Sequence, residues 1–399
     1  MRLRIAVVVA CAVRAASTAA QTPLSRIDAV RGALDHGARL GVARADTAVA
    51  NAQLIAARAL PNPSVSGSYS RSYPNYHFSA DIPIDLPGRR QTRIRSAALA
   101  LQAADLRFQF AHATIELDAD TTYTHAIAAR DHLVLSRRNA GDADSLLHMV
   151  ERRRDAGDAS DLDVEVARVS SGQQANVATS DSLTWISSLL DLQAVLGMPS
   201  DRLEIAASDS LSSPPAAILP GATTVTEAAA SLSLESALLA TRLQHRSMFS
   251  TPSLSLGFEY RDQPAIGIEP TFGLGIGLPL FDRNRGAIAQ AEAEQARAAA
   301  EVTLARVEAH NEIAHALRER ENAMSKVARD RDLVASADRV AAMSLTAYRE
   351  GASSLPNVLE AQRNARDVLS QYIDDLANAW IATAELRILA LTPSPTAQP

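Results

Sequence analysis

The 399-residue chain has a single cysteine, Cys11, so no intramolecular disulfide can form. Its nine histidines are scattered. His310 and His315 are five residues apart and share no helix face, and no histidine–cysteine–carboxylate cluster has the spacing of a metal site. There is no G-x-S-x-G and no Walker motif. Gly273-Leu-Gly-Ile-Gly277 lacks the spacing and the strand-to-helix context of a dinucleotide loop. No catalytic residues, cofactor or metal are therefore expected. Basic blocks are also missing. The net charge is −6, a balance that does not suit nucleic acid. Beyond the N-terminus no run of about 18 apolar residues occurs, so no transmembrane helix is expected. Aromatics make up only 4% of the chain while alanine is abundant, which suits long, closely packed helices better than a thick globular core.

The first twenty residues read as an export signal: Arg2 and Arg4, an apolar run from Ile5 to Val13, then the small residues Ser17-Thr-Ala-Ala20. Cleavage after Ala20 removes Cys11 and leaves a net charge near −9. The alternative is a loose lipobox, Val8-Val-Ala-Cys11, with Cys11 lipidated. An exported chain without a membrane helix is either soluble in the periplasm or embedded through β-strands.

From Leu24 to Leu60 apolar residues recur every three or four positions, as in a helix, until Pro61-Asn-Pro63 stops it. The period then becomes two. Val65, Gly67 and Tyr69 alternate with serines, and Tyr76, Phe78, Ala80, Ile82 and Ile84 alternate with His77, Ser79 and Asp81. The pattern recurs as Leu254, Leu256, Phe258 and Tyr260, then as Phe272, Leu274, Ile276, Leu278 and Leu280. Two hairpins, 63–86 and 252–281, follow. Their apolar face (Val65, Tyr69, Phe78, Ile82, Leu254, Leu256, Phe258, Leu274, Ile276) is expected to meet lipid, with the aromatics of these stretches, several of them near strand ends, as an interfacial girdle. The alternative is an amphipathic hairpin packed on a soluble core.

A long Ala-rich helix is expected after each hairpin, from Gly88-Arg-Arg90 to about Asp155 and from Asp282-Arg-Asn-Arg-Gly286 to about Glu350, on the order of 100 Å each. Glycine turns at Gly157 and Gly351 end them, and return helices run from Asp161 to Gly197 and from Pro356 to Leu391. The chain thus divides into a first repeat (21–198), a Pro/Ser/Ala-rich linker (199–221) with little regular structure, a second repeat (222–391) and a disordered tail (392–399). The fold class is mainly α with a small β part. Four strands cannot close a barrel, and an open edge in lipid leaves backbone groups unpaired. Closure therefore calls for several copies, and three give twelve strands continuous with a helical barrel.

Ala-Arg58-Ala-Leu-Pro-Asn-Pro63, Pro279-Leu-Phe-Asp-Arg-Asn284 and Tyr348-Arg-Glu-Gly351 with Asn357-Val-Leu-Glu-Ala361-Gln-Arg carry a resemblance. In their order and duplication they make the chain similar to the TolC family of outer-membrane efflux proteins. The resemblance implies a homotrimeric exit duct in outer-membrane lipid, docked on a periplasmic adaptor and an inner-membrane pump. The Leu86-Pro-Gly-Arg-Arg turn looks most like the branch serving heavy-metal and related proton-driven (RND-type) exporters. The tips at Gly157 and Gly351 would then meet the adaptor. By motif position Tyr348 and Asp163 match the family's hydrogen-bonded tip pair, and Ser353 stands where the family has a linking arginine. Of two aperture acids, Asn357 replaces one and Glu360 keeps the other. A ring of Glu360 carboxylates in a narrow mouth would attract cations. The competing functions are a soluble periplasmic coiled-coil adaptor or scaffold and an exit duct for type I protein secretion.

Overall fold

The computed structural model describes residues 22–393 except 37, 73, 199–202, 220, 222, 248–250, 262–266 and 280. The export signal with Cys11, the tip of the first hairpin turn at Tyr73, Leu280, and residues 394–399 of the expected tail lie outside the described residues.

A short strand β1 (Thr22–Leu24) leads into α1 (Arg26–His36) and α2 (Ala38–Arg58), where the sequence reads as one helix. The first hairpin is β2 (Ser64–Tyr69) and β3 (Tyr76–Pro83). The 69-residue α3 (Pro87–Asp155) follows and turns back as α4 (Asp161–Val195). β4 (Ile205–Ala207) and α5 (Val225–Arg246) precede the second hairpin, β5 (Ser253–Arg261) and β6 (Gly267–Gly275). The 65-residue α6 (Arg285–Arg349) and its return helix α7 (Leu355–Leu389) complete the chain.

Two expectations need correcting. The fourth strand ends at Gly275, so Ile276 and Leu278 lie beyond it, and its N-terminal part, Gly267 to Thr271, belongs to the strand instead. Apolar–glycine alternation continues past Gly275, but β5 begins only at Ser253, opposite Gly275, and leaves Ile276 no ladder partner in it. The expected linker also holds β4, which pairs in parallel with β1 in the register Thr22↔Ile205. Three residues are too few to show a period, and only the distant partner makes them a strand.

The hairpins join into one antiparallel sheet in the order β2-β3-β5-β6. Where strands become helices, arginines hold the junction. Arg93 donates to the carbonyls of Ala57 (2.9 Å) and Ala59 (3.2 Å) and pairs with Asp85 at 2.8 Å. A cation at the C-terminus of α2 also suits that helix's dipole. Arg246 reaches the carbonyl of Gly88 at 2.8 Å. At the second junction Asn284, at φ 58°, bonds its own turn through Asp282 and the Gln244 carbonyl through its side chain.

Midway along the helices, Ala29, Leu40, Tyr123, Ile127, Leu189, Leu192 and Ile205 form the largest core. There Asp120, 2% exposed, accepts from Arg26 of α1 and from Arg387 of α7. The Arg26 guanidinium lies 4.0 Å from the Trp380 ring centre. Tyr123 donates to the Leu24 carbonyl at 2.7 Å. A buried carboxylate between two arginines binds three distant parts of the chain at one level.

Candidate functional site

The register sorts the sheet into two faces. Val65, Gly67 and Tyr69 lie in rows with Tyr76, Phe78, Ala80 and Ile82, then with Leu254, Leu256, Phe258 and Tyr260, then with Ile268, Pro270, Phe272 and Leu274. None of these side chains is charged, and Val65 and Phe272 are both 79% exposed. Rings stack along it: Phe78 lies 5.0 Å from Phe258, and Tyr69, Tyr76 and Tyr260 form a row at the hairpin-turn end. The opposite face carries Ser66 bonded to Ser79 (2.8 Å), His77 beside Glu259 (3.3 Å) and Asp81 accepting from Ser255. Gly257 belongs to this face, and a Cβ there would fall 2.4 Å from the Phe78 carbonyl oxygen. Of the nine expected apolar-face positions, all but Ile276 share the apolar face within strands.

The other end of the molecule is formed by two helical tips with matching backbones. Gly157 (φ 84°) and Gly351 (φ 77°) take the left-handed conformation that closes a helix. Gly157 N–H donates to the Arg154 carbonyl and Asp158 N–H to that of Arg153, at 2.9 and 2.8 Å. Gly351 N–H donates to the Tyr348 carbonyl and Ala352 N–H to that of Ala347, at 3.1 and 2.8 Å. The following N-caps differ. Ser160 and Asp163 form a reciprocal capping box, whereas Ser354 makes no side-chain cap and is followed by Leu355-Pro356.

Leu146, Val150, Val164, Ala167, Leu355 and Val358 pack around Tyr348 and join the two tips. Tyr348 is 5% exposed and its hydroxyl has no hydrogen-bond partner among the described residues. Burial raises its pKa, opposed by the nearby Arg153 charge and assisted by Asp163. Asp163 does not bond Tyr348. Its carboxylate accepts from the Ser160 N–H and hydroxyl at 3.1 and 2.8 Å. Arg153 covers the tyrosine instead, with its guanidinium carbon 4.7 Å from the ring centre and Nη1 donating to the Tyr348 carbonyl. The sequence reading missed Arg153. It sits in Arg152-Arg-Arg154 at a helix C-terminus, where dipole complementarity alone accounts for basic residues. Asn357 and Glu360 are exposed on the first turns of α7. Glu360 lines an open groove of about 930 Å³ shared by α3, α4 and α7, with Arg363, Arg366 and Asp367. Burial lowers the Arg366 pKa. Among the described residues no group of three or more His, Cys, Asp or Glu side chains could hold a metal ion.

The two-faced sheet lies at one end and the paired helical tips at the other, joined by helices on the order of 100 Å long. The outer membrane efflux protein model matches residues 29–198 and again 225–390, and the chain belongs to that family. The double match falls on the two repeats. No curated protein matches the sequence. Among solved structures, a membrane protein from Pseudomonas aeruginosa is 21% identical, with 92% of this chain and 93% of that one covered at a TM-score of 0.77. The CmeC outer membrane channel of Campylobacter jejuni is 17% identical, covering 91% and 85% at 0.76. The outer membrane protein VceC of Vibrio cholerae is 18% identical, covering 92% and 96% at 0.74. At these identities the likeness establishes a shared fold. With the family, it makes this chain an outer-membrane efflux duct that extends into the periplasm, not a soluble adaptor.

Proposed function

We propose that three copies of the chain form a passive exit duct. Their sheets close a twelve-stranded barrel in lipid, and their helices form a tunnel that receives cargo from an inner-membrane pump through a periplasmic adaptor. One observation carries this reading. The four-stranded sheet has a wholly apolar exposed face, and among the described residues its outer strands β2 and β6 each have one neighbour. Such a sheet is stable in lipid only when its edges are closed. The apolar rows are the lipid wall, and the Ser/Thr/Gly face with His77, Asp81 and Glu259 lines the lumen. The Tyr69–Tyr76–Tyr260 row is an interfacial girdle.

The tips at Gly157 and Gly351 meet the adaptor. Tyr348, Asp163, Asn357 and Glu360 surround the periplasmic mouth, where Asn357 makes the aperture less acidic than a double carboxylate ring. An RND-type pump is favoured over a type I protein secretion partner on the Leu86-Pro-Gly-Arg-Arg turn, and the pump genes beside this one would distinguish them. The duct itself is tested by fractionation and electrophysiology. Heat-modifiable trimers in the outer membrane that conduct in planar bilayers are expected. Recovery only as soluble periplasmic monomer would overturn the reading.

A further inference from the structure

Arg153 occupies both tips at once. Its backbone carbonyl accepts the 2.8 Å bond from Asp158 that closes the Gly157 turn. Its side chain donates to the Tyr348 carbonyl, the same oxygen that accepts the 3.1 Å bond closing the Gly351 turn. The guanidinium then lies against the Tyr348 ring, 4.7 Å from its centre. No carboxylate among the described residues pairs with it, so its charge is committed to a carbonyl and a π-face. A planar guanidinium can satisfy both together, and an ammonium can not do so equally well. The tyrosine hydroxyl, in contrast, is buried without a partner, and Asp163 is engaged in its own helix cap.

We propose that Arg153 is the clasp that holds the α3–α4 tip to the α6–α7 tip and keeps the periplasmic mouth narrow. Tyr348 serves as its seat through the ring and the carbonyl, not through the hydroxyl. Separating the tips breaks a charge-assisted bond, the stacking contact and the packing of Leu146, Val150 and Val164 against Leu355 and Val358, while leaving both glycine turns intact. The mouth can thus widen by moving the hairpins as units. This inference rests on the reading of this end as the mouth.

The test is planar-bilayer recording of purified trimers, with folding checked by heat-modifiable migration. Arg153→Gln is expected to raise the open fraction on the order of tenfold, the scale of one charged hydrogen bond. Arg153→Lys keeps the charge but loses the fork and should give an intermediate rise. Tyr348→Phe keeps the ring and the carbonyl and should raise the open fraction far less than Arg153→Gln. A rise with Tyr348→Phe and none with Arg153→Gln would overturn the clasp in favour of a hydroxyl–Asp163 latch. If neither variant alters the current, the clasp is also wrong, and a bulky thiol label on Glu360→Cys then separates the two failures. Block by that label means that the mouth is correctly placed. Unaltered current means that the constriction lies elsewhere.

Discussion

α3 and α6 hold equivalent places in the two repeats, yet they are buried differently. α3 packs against α1, α2, α4, α5 and α7, and its buried residues include Leu106, Ile115, Tyr123, Ile127, Leu133, Leu146 and Val150. α6 packs chiefly on α5 and α7, and its buried positions are alanine except for Val327 and Tyr348. Ala291 and Ala298, then Ala309, Ala316 and Ala323, recur every seven residues, the mark of one narrow coiled-coil seam. Leu304, Val307, Leu333, Val340 and Met343 of α6 are exposed, whereas α3 exposes only Val134 among its large apolar residues within the described chain. Duplication therefore produced one helix at the centre of the protomer and one at its boundary. In the proposed trimer the boundary helix spends its second apolar face on the next copy.

The largest effect is expected at the centre. Asp120→Ala leaves Arg26 and Arg387 around an empty site, and breaking a buried pair in this way costs about 3–5 kcal/mol. Thermal melting of the solubilised protein should fall accordingly, and helix content should be lost at a lower temperature. A smaller and different effect is expected at the boundary. Val340→Glu with Met343→Glu places charge on exposed positions of a single chain, so the protomer should keep its helicity while trimers are lost from native gels. If the α6 variant melted like the Asp120 variant, the division between centre and boundary would be wrong.

How much of this was legible depended on the range of the signal. The hairpins, the long helices and the glycine turns announce themselves locally, because period two, an alanine heptad and a left-handed glycine each act within a few residues. The fourth strand was displaced because glycine alternation runs past Gly275 although β5 begins only at Ser253, opposite it. β4 was invisible because its partner lies far away in sequence. The tip was legible as backbone and illegible as side chains. Motif position brought Tyr348 and Asp163 together, but a capping box, itself readable in Ser160-Asp-Leu-Asp163, uses the aspartate. Arg153 looked like one basic residue among three, and only three-dimensional proximity sets it over Tyr348.

A third prediction separates the halves by pH. Asp330 of α6 faces Asp375 of α7, with Lys326 and Arg329 on its own helix and Gln371 beside Asp375. A bond that Asp330 can make to Asp375 only when one of the two is protonated, then burial, then carboxylate repulsion raise the Asp330 pKa. A raised carboxyl contributes stability that is full below the ordinary carboxylate value of about 3.9 and is lost as pH rises through the elevated folded value. Melting temperature measured upward from about pH 4 should decline more in the native protein than in Asp330→Asn. At the same distance before its glycine the first half carries Ser136, which donates to the Leu133 carbonyl within α3. Ser136→Ala should leave that pH profile unaltered, and an equal change in both variants would refute a seam-specific origin.

The smallest expected difference lies at the caps, where the two tips share a backbone but not a side chain. Ser160 accepts the Asp163 N–H at 3.1 Å, and Asp163 returns the bond to the Ser160 N–H. Removing such a cap costs about 1 kcal/mol. Ser354 accepts no cap bond, and Pro356 in the first helical turn lacks an N–H to satisfy. Ser160→Ala should therefore lower the melting temperature measurably, while Ser354→Ala should lower it by less than half as much. The same pair also probes the clasp. Freed from its cap, Asp163 gains the freedom to approach the Tyr348 hydroxyl. If Ser160→Ala makes conductance newly sensitive to Tyr348→Phe, the capping box is what keeps the aspartate away from the tyrosine, and Arg153 holds the tips together because that box is closed.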